Sequence, residues 1–124
     1  MLVGYTLTVV IEGTVLLVLL SRRHSVRVRL FAGVWLTACT YPVVWLVLPG
    51  MFEDRTAYLL VAETFAPVAE CVIFWFAFVR TGEPNRRATI RDMAAITLVN
   101  LCSFGFGELL HAMDAFDGIL NAVP

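Results

Sequence analysis

Four glutamates fall inside apolar stretches of this sequence, where a carboxyl group needs either a partner or a function. They are Glu12, Glu63, Glu70 and Glu108. A charged side chain at the centre of a bilayer costs about 3 kcal/mol even on lenient insertion scales. The chain contains no lysine, and no arginine lies near the middle of an apolar stretch. We therefore expect these carboxyl groups to be protonated, hydrogen-bonded to neutral polar groups, or neutralised by a bound cation.

Residue spacing gives these glutamates polar neighbours on the same helix faces. Thr8 and Glu12 are four residues apart, so Thr8 is expected to hydrogen-bond the carboxyl group. Glu63, Pro67 and Glu70 follow at steps of four and three and share one face. Pro67 cannot donate to the carbonyl of Glu63, and a free carbonyl beside carboxylates suits a hard cation. The alternative is that the proline only kinks the helix.

The same pattern recurs elsewhere in the chain. Pro42 frees the carbonyl of Ala38, next to Thr37. Asn100 and Ser103 lie on one helix face, and a glutamate hydrogen-bonded to Asn100 or Tyr41 would be a structural contact. The candidate ion- or proton-binding residues are Glu12, Glu63, Glu70, Asn100 and Glu108, and the supporting residues are Thr8, Thr37, Tyr41, Pro42, Pro67 and Ser103.

Two histidines and three cysteines offer little further chemistry. We interpret His24 as a solvated loop residue near lipid headgroups, and Glu108 with His111 as a pair at the membrane interface. The cysteines have no metal-ligand spacing and are expected to be small buried hydrophobic residues. No metal site is predicted.

The composition of the chain indicates which kind of structure holds these polar groups in place. The chain is 60% hydrophobic and 15% charged, with a mean hydropathy of +0.83. These values predict an all-α integral membrane protein, a single domain over residues 1–124. The predicted spans are about 2–20, 28–48, 56–79 and 92–112. Because the connections are short, consecutive helices should be antiparallel neighbours in a four-helix bundle.

The arginines predict the orientation. Eight of the nine lie in or beside two loops, about 21–27 and 80–91, and the ninth is Arg55. The positive-inside rule places these two loops in the cytoplasm and both termini outside. The expected location is the plasma (inner) membrane of a bacterium.

The two halves of the chain resemble one another, which predicts a tandem repeat of two helical hairpins. Glu12 corresponds to Glu70 at an offset of 58 residues, and Thr37 to Asn100 at an offset of 63. The five additional residues fall in the second arginine-rich loop, so one insertion aligns both features. Two hairpins of the same topology would be related by a pseudo-twofold axis along the membrane normal.

No catalytic triad, zinc-binding motif or phosphate-binding loop occurs, so we expect no enzymatic activity. The arginines are better explained by topology than by nucleic-acid binding. The glutamates favour a small proton- or cation-coupled transport or channel unit, and the alternative is a non-catalytic subunit of a larger membrane complex. The expected partners are the lipid bilayer and either further copies of the chain or other membrane proteins, and the sequence leaves any cofactor undetermined.

Overall fold

The computed structural model describes the backbone of residues 2–122 and the side chains of residues 5–114. Four α-helices and no strand occur in that part of the chain. They are α1 (Leu2–Leu19), α2 (Val26–Pro42), α3 (Arg55–Phe74) and α4 (Arg86–Ala122). Helix α2 continues through a π-helical turn, Val43–Val47, and a 3-10 turn, Leu48–Gly50, and α3 ends in a π-helical turn, Trp75–Val79.

Side-chain caps fix three of the helix starts. Ser25 accepts a hydrogen bond from the backbone N–H of Val28 at 3.3 Å at the start of α2. The Asp54 carboxylate accepts from the first N–H groups of α3, and the Asn85 side chain accepts from Ala88 at the start of α4. Each cap satisfies backbone donors that have no partner within the helix.

The Asn85 cap changes one expectation. The sequence predicts a loop over residues 80–91, but residues 86–91 form the first turns of α4. A capped backbone is already hydrogen-bonded, so the polar side chains can extend outward without ending the helix. Helix α4 has 37 residues and extends beyond the predicted span 92–112 at both ends.

The four helices form a ring in which each packs against its two neighbours, α1 against α2 and α4, and α3 against α2 and α4. The loops 20–25 and 80–85 lie at one end, here called the arginine end, and the turn 51–54 lies at the other, here called the far end. A fully apolar core fills the arginine end: Leu16, Leu20, Ala32, Leu36, Phe74, Ala95, Ile96 and Val99.

Helices α1 and α2 cross closely at a pair of glycines. A Cβ atom added to Gly33 would lie 2.7 Å from the Cα of Gly13. Only a residue without a side chain allows this approach. Thr37 follows Gly33 by one helical turn, and the crossing places it opposite Glu12.

Three helical segments are long and apolar enough to cross a membrane: Val26–Gly50, Arg55–Val79 and Arg86–Asp114. The first helix is also apolar, but its described apolar segment, Tyr5–Leu19, is shorter. At 1.5 Å per residue, the 18 residues of α1 extend about 27 Å, close to the roughly 30 Å of a hydrocarbon core.

Candidate functional site

Glu12 lies in the middle of α1 and is almost completely enclosed by the bundle, with 3% of its surface exposed. The Thr37 hydroxyl of α2 hydrogen-bonds its Oε2 atom. The same hydroxyl lies 2.9 Å from the carbonyl of Gly33, so its single proton is shared between two acceptors. This contact depends on the close glycine crossing of α1 and α2.

Glu70 of α3 is also buried, with 1% of its surface exposed. Asn100 Nδ2 of α4 donates to Glu70 Oε2 at 2.7 Å, and Thr40 Oγ1 of α2 donates to Oε1 at 2.7 Å. Asn100 is among the residues predicted from the sequence, whereas Thr40 is not. Its spacing of three residues from Thr37 was the available signal, because the two threonines share a face of α2.

The two glutamates have related surroundings. Thr37 contacts Glu12 within the first half of the chain, and its counterpart Asn100 contacts Glu70 within the second. Thr40 of the first half contacts Glu70 of the second half. Its counterpart Ser103, 63 residues later, lies beside Glu12 of the first half. The buried Ser103 hydroxyl makes no hydrogen bond of normal geometry within the described residues. The two carboxyl groups are close enough to interact electrostatically.

A cavity of about 570 Å³ extends from this glutamate pair towards the far end, and all four helices line it. Its lining includes most of the residues predicted from the sequence, of which all but Pro67 are polar: Thr8, Glu12, Thr37, Tyr41, Glu63, Pro67, Glu70, Asn100, Ser103 and Glu108. Its apolar lining includes Leu7, Ile11, Trp45, Leu59, Phe104 and Leu110. A site of this kind combines a largely apolar wall with a few converging polar groups.

The supporting residues have different environments. Thr8 lines the cavity but makes no hydrogen bond to Glu12 among the described side chains, so that expected contact is wrong; Thr37 takes its place. Tyr41 is buried and packs its ring against Tyr5 at 5.1 Å between centroids. Pro67 is buried in the cavity wall, whereas Pro42 is exposed on the outside of α2 and does not line the cavity. The predicted effect of Pro42 on the carbonyl of Ala38 stays a prediction.

Glu63 and Glu108 differ in charge environment, although both line the outer part of the cavity. Arg55 Nη2 donates to both oxygens of Glu108, at 2.9 and 3.1 Å. The expected pairing of Glu108 with His111 is thus wrong, because the turn 51–54 brings the start of α3 against α4. Glu63 is half-buried and has no hydrogen bond or ion pair with any other residue that the structure describes.

A second polar cluster lies at the arginine end, around Asp92. This carboxylate is fully buried and accepts hydrogen bonds from Ser21 N and Oγ at 2.7 and 3.0 Å, and from Arg23 Nη2 at 2.9 Å. His24 Nε2 lies 2.9 Å from the same group, and its residue is only 8% exposed. The interpretation of His24 as a solvated residue is therefore wrong. The cluster ties the first loop to the start of α4.

The described residues contain no group of three or more histidine, cysteine or acidic side chains placed to hold a metal ion. Cys39 and Cys102 are exposed on the outside of the bundle, and only Cys71 is half-buried, so the expectation of three buried cysteines is wrong. No protein-family model, curated protein or solved structure matches the chain.

Proposed function

We propose that this protein is a small membrane transport or channel unit that moves protons or cations, with Glu12, Glu63, Glu70 and Asn100 along the path. One observation carries the proposal: two buried carboxyl groups from different helices line one cavity and contact no basic side chain in the described part of the chain. Intramembrane carboxyl groups without basic partners are candidates for ion or proton binding.

The distribution of polar groups along the bundle supports a path with one open side. Towards the far end, the cavity reaches exposed residues, including His111 and Asp114. Towards the arginine end, the apolar core separates the glutamates from the Asp92 cluster. An ion could thus reach the glutamates from one side, while passage to the other side would require the core helices to separate.

The proposal includes a topology: four membrane-crossing helices in the inner membrane, the arginine end in the cytoplasm and both termini outside. The arginine distribution supports this orientation. The tandem repeat is also part of the proposal, and it is supported by the matching contacts Glu12–Thr37 and Glu70–Asn100. Two related hairpins facing one another would place the two glutamates around a common axis.

The test is ion flux through the purified protein in liposomes, measured for protons, sodium and potassium with entrapped dyes. We expect Glu12→Gln and Glu70→Gln to lower the flux at least tenfold, because an amide cannot exchange a proton or neutralise a cation. Glutamine keeps an oxygen that can accept from Thr37 or Thr40, so the fold should persist. Glu83→Gln, an exposed residue of the loop 80–85, is the control. Full flux in both cavity variants would contradict the proposal.

A second candidate function is that of a non-catalytic subunit in a larger membrane complex. Large apolar side chains such as Leu46, Trp75 and Phe76 are exposed and do not line the cavity, and this surface could contact lipid or other membrane proteins. The native mass of the protein, extracted in mild detergent from its own membrane, separates the two functions. Unrelated partners in fixed stoichiometry would favour the subunit, and a homo-oligomer would favour transport.

A further inference from the structure

We infer that the cavity binds a monovalent organic cation with an apolar body, its charge beside the Glu12 and Glu70 carboxylates and its body against the aromatic wall. The inference rests on the proposed function and specifies the substrate of the same site. It depends on the charge of the cavity, on the polar groups around Glu12 and on the composition of the wall.

The charge of the lining favours a cation. Five carboxyl groups line the cavity: Glu12, Glu63, Glu70, Glu108 and Asp114. The arginine among the described lining residues is Arg55, and Glu108 already binds it. When the remaining carboxyl groups are ionised, they outnumber the basic groups of the described lining, and such an excess of negative charge attracts positively charged ligands into a cleft with low-dielectric walls.

The polar groups around Glu12 face the same cavity. Glu12 Oε2 accepts from Thr37, and the Ser103 hydroxyl lies beside the same carboxyl group. The buried Ser103 Oγ makes no hydrogen bond of normal geometry with a described residue, and a polar ligand group at this point would give it a partner.

The wall indicates that the cation is organic. Tyr41 and Trp45 pack at 5.7 Å between ring centroids, and Tyr58 and Phe104 belong to the same lining. Aromatic faces attract cations, especially when the cation is desolvated. A hard inorganic cation instead prefers six or more oxygen ligands, and most of this wall supplies none.

The size of the cavity agrees with this chemistry. A volume of about 570 Å³ lies within the roughly 300–1,000 Å³ usual for small-molecule sites. A single metal ion would leave most of this space unfilled. A lipid acyl chain would fit the apolar wall, but it would leave Glu12, Glu63 and Glu70 without a counter-charge.

The test measures binding of benzyltrimethylammonium, with N-benzylacetamide as a neutral analogue of similar size. The chain has three tryptophans, of which only Trp45 lines the cavity. In a Trp35→Phe/Trp75→Phe variant, the remaining tryptophan fluorescence therefore comes from the cavity lining. Equilibrium dialysis of the radiolabelled cation against the unmodified protein gives a second measurement that does not depend on this variant folding.

We expect saturable binding of the cation, and at least tenfold weaker binding both of the neutral analogue and of the cation to Glu12→Gln. Glu83→Gln should bind as the unmodified protein does.

Equal binding of the cation and the neutral analogue would overturn the inference and indicate an apolar cavity for lipid. Absence of cation binding, while Glu12→Gln still abolishes proton or inorganic-ion flux, would overturn the inference and leave the proposed function intact. If the glutamate variants kept both cation binding and ion flux, the inference and the proposed function would both be overturned.

Discussion

At the residue scale, the donors that contact the two buried glutamates are neutral. Thr37 and Thr40 present hydroxyl groups, which can donate to a carboxylate or accept from a protonated carboxyl group. Arg55, by contrast, is a permanently charged donor that contacts both oxygens of Glu108. The two glutamates near the centre of the bundle therefore have partners that suit either protonation state of a carboxyl group, which the proposed proton or cation binding requires.

The Thr40 contact gives a prediction at this scale. Thr40→Val keeps the shape of the side chain but removes the donor at 2.7 Å from Glu70 Oε1. We expect the free energy of unfolding to fall by about 1–3 kcal/mol, the usual cost of leaving a buried acceptor unpaired. Unfolding in mixed micelles, followed by circular dichroism, measures this change.

Thr64→Val is the matched control for that experiment. The Thr64 hydroxyl is exposed and bonds only the carbonyl of Leu60 in its own helix, at 2.9 Å. Thr64→Val should lower the free energy of unfolding by less than about 0.5 kcal/mol, as most surface substitutions do. Equal losses in the two variants would mean that the Glu70 contact contributes nothing to stability.

At the element scale, two devices set how the helices meet. The Gly13–Gly33 crossing brings α1 and α2 together near the middle of the bundle. The Asp92 cluster joins the loop 20–25 to the start of α4 at the arginine end. The Arg91 side chain adds to this junction by donating to the carbonyl of Leu19 at 3.0 Å, which satisfies a backbone acceptor at the end of α1. Helix α1 is thereby fixed between α2 and α4, and Glu12 with it.

The glycine crossing leads to an element-scale prediction: the free energy of unfolding should fall in Gly33→Ala and rise in Gly105→Ala. Gly33→Ala would place a Cβ 2.7 Å from the Cα of Gly13, so α1 must move away. We expect a loss of about 1–3 kcal/mol, as for other overpacked contacts, and weaker flux because Glu12 separates from Thr37. Unfolding and flux assays on one preparation measure both effects.

Gly105→Ala is the control, since a Cβ there meets no described atom within 4 Å. Alanine should stabilise α4 by up to about 1 kcal/mol, because it restricts the unfolded chain. A Gly33→Ala variant as stable as the original protein would show that the close crossing is not required.

At the scale of the whole molecule, the two ends of the bundle differ in charge and packing. The arginine end is closed by the apolar core and the Asp92 cluster, whereas the far end opens into the cavity with its carboxyl groups. Under the proposed topology, the cavity would face the outside of the cell. A ligand would therefore be captured from that side first.

This orientation can be tested with cysteine labelling in intact cells. After the three native cysteines are replaced by alanine, Glu53→Cys at the far end should react with a membrane-impermeant maleimide. Glu83→Cys at the arginine end should react only after the cells are permeabilised. Both residues are exposed, so accessibility within the protein is matched. The reverse labelling pattern would place the arginine end outside and contradict the proposed topology.

The sequence by itself determined the helical architecture and the identity of the polar groups inside it. A long apolar segment must satisfy its own backbone, and the helix does so without reference to other segments. The 3.6-residue period likewise determined that Glu63, Pro67 and Glu70 share a face, and all three line the cavity. Both properties are local, so a single segment contains the information for them.

Only the tertiary structure decided which helices these faces meet. Thr40 bonds Glu70, Arg55 bonds Glu108, and His24 is buried beside Asp92. Each contact joins residues from different segments, and it depends on how far each helix is rotated and how closely it approaches its neighbour. Helical periodicity leaves both quantities free. They are set by the packing of the bundle as a whole, here by the glycine crossing and the apolar core.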